Sequence, residues 1–216
     1  MFDDLSFGIC WFNDKGIFRL LDSLPRESEK YVVDGKFAKN PNRQLLSDES
    51  LRDRVREYPN VIMIDAPDME EPEKRNEYLI GNPHKYLIVI DSDEYISALD
   101  GNRFLEAMNR LDSGIHHIFF ETDRDGGTST YPRLWVNPKD WRYVLCHNIF
   151  RNNVTGEILK SGFSEGETIP GMLCGMDDDL RSDEQLKDTY DYQVEMLKFE
   201  KPYREKYRNG DMTPFG

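Results

Sequence analysis

Short apolar runs alternate with amphipathic stretches through the first half of the chain. Leu5 to Phe12 reads as a first strand, and Asn13-Asp14 supplies a helix cap. Ile17, Leu20, Leu21 and Leu24 then repeat at helical spacing and stop at Pro25. Tyr31-Val32-Val33 predicts a second strand ending in Asp34-Gly35, and Leu45 to Tyr58 a segment that is helical in part. Val61 to Ile64 predicts a third strand, ending in Asp65. Glu70 to Ile80 opens with acids and Pro72, which suits the first turn of a helix. Tyr86 to Ile90 is an unbroken, β-branched apolar run, the pattern of a central strand buried on both faces. Phe104 to Leu111 predicts a helix and Ile115 to Glu121 a strand. Such alternation of strand and helix predicts a parallel sheet.

Downstream the pattern changes. Aromatic-rich strands are expected around Tyr131 to Val136 and Tyr143 to Phe150, followed by a Gly-rich stretch from Gly156 to Gly175. Ser182 to Tyr207 predicts a long charged helix with Leu186, Tyr190, Val194 and Leu197 on one buried face. The expectation is one α/β domain of 216 residues with three parts. Residues 1–100 form a nucleotide-binding half, 101–180 an acceptor-side half, and 181–216 a C-terminal helix and tail.

Composition narrows the picture. With 12% aromatic and 38% hydrophobic residues the chain can bury a core, so it is globular. A net charge of -13, from 28 basic and 41 acidic side chains, argues against nucleic acid as a partner. No run reaches the roughly 18 to 20 apolar residues of a transmembrane segment. The residues Met1 to Phe12 carry acids where a secretion signal would carry positive charge, so a cytoplasmic setting is expected. Cys10, Cys146 and Cys174 have no metal-ligand spacing and read as small buried hydrophobes.

The candidate chemistry lies at strand ends. Asp34, Asp65 and Asp91 each close a predicted strand, and ligands of open parallel sheets bind beyond the carboxyl ends of strands. Asp91-Ser92-Asp93-Glu94 is the sharpest element: two carboxylates two apart, at the end of the most apolar strand. Oxygen donors of this kind suit Mn²⁺ or Mg²⁺ bridged to a diphosphate.

With Glu73-Lys74-Arg75-Asn76-Glu77-Tyr78-Leu79 a dozen residues upstream, this segment resembles the family 2 glycosyltransferases with the GT-A fold. The resemblance covers roughly residues 5 to 195. It implies a mostly parallel central sheet flanked by helices, with a mixed C-terminal part. It further implies a metal-dependent transfer of a sugar from a UDP- or GDP-sugar to a glycan, lipid-linked or protein acceptor, with inversion. Trp11 and Asn13, at the end of the opening strand, would lie by the nucleobase. Asp34, Asp65, Arg75, Asp91 and Ser92 would contact the nucleotide-sugar, and Asp91, Asp93 and His147 would serve the metal. His147 follows the stretch Pro132-Arg133-Leu134-Trp135 and Trp141-Arg142-Tyr143, which is similar to the family's Arg-aromatic strand and the strand after it. Asn148 stands where the family has Glu, and residues 175–182 stand where it has a further His. The catalytic base is accordingly sought at Glu121 or Asp123, with Gly126-Gly127 making a lid of that loop. Trp135, Trp141 and Tyr143 read either as a sugar-stacking wall or as core. Two other functions fit parts of the pattern. One is a haloacid-dehalogenase-type phosphatase, which also begins with an apolar strand into Asp-x-Asp. The other is a non-catalytic module that binds a nucleotide-sugar.

Overall fold

The structure, a computed structural model, describes residues 3–36, 46–67, 69–121, 128–145, 149–160 and 168–176, with eight helical positions between 187 and 205. Its first half follows the predicted alternation: β1 (Leu5–Trp11), α1 (Gly16–Ser23), β2 (Glu29–Asp34), α2 (Glu49–Arg56), β3 (Val61–Asp65), α3 (Glu71–Glu77) and β4 (Tyr86–Val89). β5 (Glu94–Leu99), α4 (Gly101–Met108), β6 (Gly114–Glu121) and β7 (Thr128–Val136) come next. β8 (Trp141–Leu145), β9 (Ile149–Asn152), β10 (Ile158–Lys160) and β11 (Thr168–Met176) complete the strands described.

Eight strands form one sheet in the order β3-β2-β1-β4-β7-β6-β11-β5. β3, β2, β1 and β4 run parallel, as do β6 and β11, while β7 and β5 pair antiparallel to their neighbours. A second sheet, β10-β9-β8, is antiparallel throughout. The chain is therefore α/β, with a mostly parallel central sheet flanked by helices and a mixed later part. This is the arrangement that the GT-A resemblance implies.

Burial explains the order. Every residue of β1 and β4 is buried, because side chains alternate across the sheet and both faces are covered. On one face Leu5, Phe7, Ile9 and Trp11 of β1 pack with Ile17, Leu20 and Leu21 of α1 and with Phe104, Ala107 and Met108 of α4. On the other, Cys10, Leu87 and Val89 pack with Tyr78 and Leu79, just after α3, and with Trp141, Tyr143 and Phe150 of the small sheet. α3 starts with the capping box Glu70/Glu73 and a proline in its first turn, as the acids and Pro72 suggested.

Gly8 is one point where this packing leaves no room for a side chain. A Cβ built there would stand 2.7 Å from Cγ of Tyr78, whose ring is fully buried. The atom struck is at the base of the ring, where the side chain has least freedom to yield. Gly8→Ala is expected to cost about 1–3 kcal/mol of stability by overpacking, measured by urea denaturation. A loss within the error of the extrapolation would show that Tyr78 moves aside freely.

Three sequence expectations change. β5 is a strand that the pattern did not predict; it is half-buried, at the sheet edge, and starts directly after the acidic turn. Tyr143 to Phe150, read as one strand, is instead shared between β8 and β9, which pair antiparallel, and the Gly-rich stretch contains β10 and β11. The C-terminal helix is present at the described positions, but Tyr190 is 66% and Leu197 45% exposed. Val194 is half-buried and Leu186 lies outside the described residues, so of the predicted stripe only Tyr190 and Leu197 are found exposed. Among the described residues no helix is long and apolar enough to cross a membrane.

Candidate functional site

β4 delivers Asp91 to the carboxyl edge of the sheet, where arginines from two other elements meet it. β7 runs antiparallel beside β4, and the register of Ile88 opposite Leu134 carries Arg133 toward the end of β4. Both terminal nitrogens of Arg133 donate to Oδ2 of Asp91, each at 3.2 Å. Nη2 also donates to Oε1 of Glu94 at 2.8 Å. From α3, Arg75 Nη2 stands 3.5 Å from Oδ1 of Asp91 while its Nε donates to Glu71 at 2.9 Å. The other Glu94 oxygen accepts the backbone N–H of Asp91 at 2.8 Å, which closes the turn on itself.

The charges in this cluster are held apart by their surroundings. Burial works against the ionised Asp91, yet Arg133 and Arg75 hold its carboxyl well below the usual carboxylate range. Glu94 is almost wholly enclosed, and burial pushes its carboxyl well above that range despite Arg133. Asp91 keeps 38% of its side chain exposed, so the ionised member of the pair is the one facing solvent. The Cys10 thiol, on the neighbouring strand, is pushed up to about 12 by burial and is not a nucleophile at neutral pH.

The turn after Asp91 is clamped by the start of α1. Ser92 Oγ donates to Oδ2 of Asp14 at 2.6 Å, and Oδ1 of Asp14 accepts the N–H of Gly16 at 2.8 Å. The N-cap of α1 is Lys15, without a side-chain cap, and not the Asn13-Asp14 pair expected; Asp14, one residue earlier, takes the N–H of Gly16 and ties the start of the helix to Ser92. The approach is so close that a Cβ on Gly16 would lie 2.8 Å from the Ser92 carbonyl oxygen and 3.2 Å from Cα of Asp93. Asp93, the next residue of this clamped turn, is partly exposed.

The other strand-end aspartates are held in a network of their own. Asp34 is fully buried and accepts from the Ser47 N–H and hydroxyl and from Nη1 of Arg52, the last at 2.6 Å. Burial raises its carboxyl above the usual range, against the pull of Ser47 and Arg52. Nη2 of Arg52 reaches Asp65 at 2.7 Å, so one α2 arginine ties the ends of β2 and β3 together. Asp34 is therefore engaged inside the protein, whereas Asp65 stays half-exposed. Asn13, in the left-handed region at φ 53°, is pinned by Ser47 and the Asp48 N–H. Trp11 is core: it is 2% exposed and its indole donates to the Asp14 carbonyl at 2.7 Å.

The structure thus gathers Asp91, Ser92, Asp93 and Arg75 at one place and sets Asp34, Asp65 and Asn13 around a neighbouring strand-end network. Glu121 ends β6, while Asp123 and His147 lie outside the described residues. Trp135, Trp141 and Tyr143 form an edge-to-face cluster with Phe150 and are buried, so they are core and not a sugar-stacking wall. Tyr131 is the exposed ring beside the cluster, with the Arg133 guanidinium 5.6 Å from its centroid. Asn76, partner of Arg75 in the motif, bonds both the N–H and the C=O of Tyr143 and so docks α3 onto β8. Arg52 and the part that Arg133 plays at Asp91 and Glu94 were missed. The signal for Arg133 was present, an arginine set directly before the apolar run Leu134-Trp135-Val136.

No protein-family model matches the chain, and no curated protein matches it. Among solved structures it is similar to S. aureus TarS 1-349, at 20% identity and a TM-score of 0.40 over 57% of this chain. TarS 1-349 in complex with UDP-GlcNAc gives the same values. A further S. aureus TarS structure gives 17% identity and a TM-score of 0.42 over 62% of this chain. The chain spans only 28% to 37% of the length of these structures. A likeness of that degree says nothing of activity.

Proposed function

We propose that the chain is a glycosyltransferase of hexosyl type that uses a UDP- or GDP-sugar, with inversion, on a glycan, lipid-linked or protein acceptor in the cytoplasm. The observation that supports this best is the convergence of Asp91, Asp93, Arg75 and Arg133 at the open carboxyl edge of β4. That edge is where parallel α/β sheets take nucleotides, and guanidinium groups match phosphate oxygens.

A divalent cation fits these residues in one way. Among the described residues no group of three His, Cys, Asp or Glu side chains could hold a metal by itself. Mg²⁺ and its like are commonly bound by one or two carboxylates plus substrate phosphates, and Asp93 with Asp91 offers that. When bound, the cation would neutralise charge on the departing diphosphate. Asp91, kept ionised by its two arginines, is suited to accept from a ribose hydroxyl. Arg75, ionised and only 15% exposed, is placed to meet a phosphate oxygen without the penalty of ordering a mobile side chain. Arg133 acts through Asp91 and Glu94, so it is a positioning residue. Inversion by single displacement needs a base beside the acceptor hydroxyl, for which Glu121 and Asp123 are the candidates.

The test is consumption of a panel of UDP- and GDP-sugars with Mn²⁺ or Mg²⁺, followed as release of the nucleoside diphosphate. Turnover of one donor is expected. Tight binding of a nucleotide-sugar with no turnover against any acceptor would make the chain a binding module. Hydrolysis of simple phosphate esters in its place would make it a phosphatase.

A further inference from the structure

At the opposite edge of the sheet, where β2 begins, Lys30 is almost completely buried without a carboxylate partner. Its Nζ donates to two backbone carbonyls, those of Arg26 at 3.1 Å and Pro59 at 3.4 Å, and to nothing else among the described residues. An ammonium has three protons to donate, so one remains unused. Burial lowers its hold on the proton, while nearby Glu27 works the other way.

A cavity of about 80 Å³ opens at this lysine, between the end of α1 and the turn into β3. Its lining includes Lys30, Arg26 and Asp22 beside the apolar Leu21, Leu24 and Pro59. One water needs ~15 Å³ of such space, so the cavity holds more than a single solvent molecule. The Arg26 guanidinium makes no hydrogen bond or ion pair among the described residues; only its carbonyl is used, by Lys30 and by Asn60. Asp22, Arg26 and Glu27 are all exposed, so water screens the two acids far more than it screens the charge of Lys30.

A buried cation with a spare donor, an unengaged guanidinium on the same rim and apolar walls make a receptor for a small oxyanion. We propose that this cavity binds one, a carboxylate or an inorganic phosphate, between Lys30 and Arg26. Lys30 lies four residues before Asp34 on β2, roughly 13 Å along the strand, so this site is separate from the strand-end cluster. It does not depend on the glycosyltransferase reading.

Isothermal titration of inorganic phosphate, and separately of acetate, into the full chain tests the assignment. The expected result is saturable binding of at least one of the two anions. Arg26→Ala, an exposed change that leaves the fold intact, should weaken it at least about tenfold, the loss of one charge-assisted contact. Lys30→Met should remove it. No saturable binding of either anion would overturn the proposal and leave a cavity filled by water. Binding that keeps its affinity in Arg26→Ala would overturn it as well, whatever Lys30→Met does to folding.

Discussion

Arg133→Met is expected to lower folding stability by about 3–5 kcal/mol, the largest effect of any single change at the site. Arg133 alone touches both Asp91 and Glu94, and Glu94 is 3% exposed. Methionine preserves much of the side-chain volume and removes the charge, so the loss reads the uncompensated acids and not a cavity. The effect has a pH signature. Burial already raises the Glu94 carboxyl above the usual range, and removing Arg133 raises it further. A native state that holds its proton more tightly than the unfolded chain loses stability as pH rises through that raised value. The deficit of the variant should therefore be larger at pH about 8 than at pH about 5, by urea denaturation at each. A loss under about 1 kcal/mol with no pH dependence would place the cluster in the class of weak surface pairs.

The second large effect is expected at Arg52. Arg52→Met leaves the fully buried Asp34 with only the N–H and hydroxyl of Ser47, and unties β3 at Asp65. A loss of about 3 kcal/mol is expected at neutral pH. The Asp34 carboxyl is already raised by burial, so the same sign holds: the deficit shrinks as pH falls and Asp34 takes up a proton. The Asp65 contact adds little, because that carboxylate is half-exposed. A double change with Asp34→Asn should recover part of the loss. Equal losses for the single and double variants would mean that Asp34 is not the group left stranded.

These two arginines also mark how far the sequence could be read. The parallel half was legible because its signals are local: alternating burial in β1 and β4, the Ile17-Leu20-Leu21-Leu24 stripe of α1, and the acids and proline that open α3. The placing of Asp91 and Asp93 at the carboxyl edge followed from their position just after a strand of a parallel sheet, whereas Arg75 arrives from α3. β5 was not legible because it is an edge strand with one partner and mixed polarity, and it follows β4 after only the acidic turn. β11 was hidden because Pro170, Gly171 and Gly175 interrupt its apolar residues; at Gly175 a Cβ would come within 2.6 Å of the Tyr95 ring, so a residue that reads as a turn signal serves close packing there. Ion partners were the least legible part. That Arg52 belongs to Asp34 and Arg133 to Asp91 depends on separations of 18 and 42 residues, which no spacing rule connects. For the same reason the sequence did not show that Asp34 is tied to α2 through Arg52.

The central claim is that the clamped turn after β4 receives the diphosphate of a nucleotide. Its most direct test is a calorimetric titration of UDP and of GDP, with and without Mn²⁺, into the wild-type chain and into Asp93→Ala. Asp93 is partly exposed and acts on buried Glu94 only as a neighbouring like charge, which its removal relieves, so the variant should remain folded, which its thermal transition checks. Metal-dependent binding of one nucleotide, weakened at least about a hundredfold in Asp93→Ala, is the predicted result. Absence of nucleotide binding with or without metal, or binding that the substitution leaves unchanged, would contradict it.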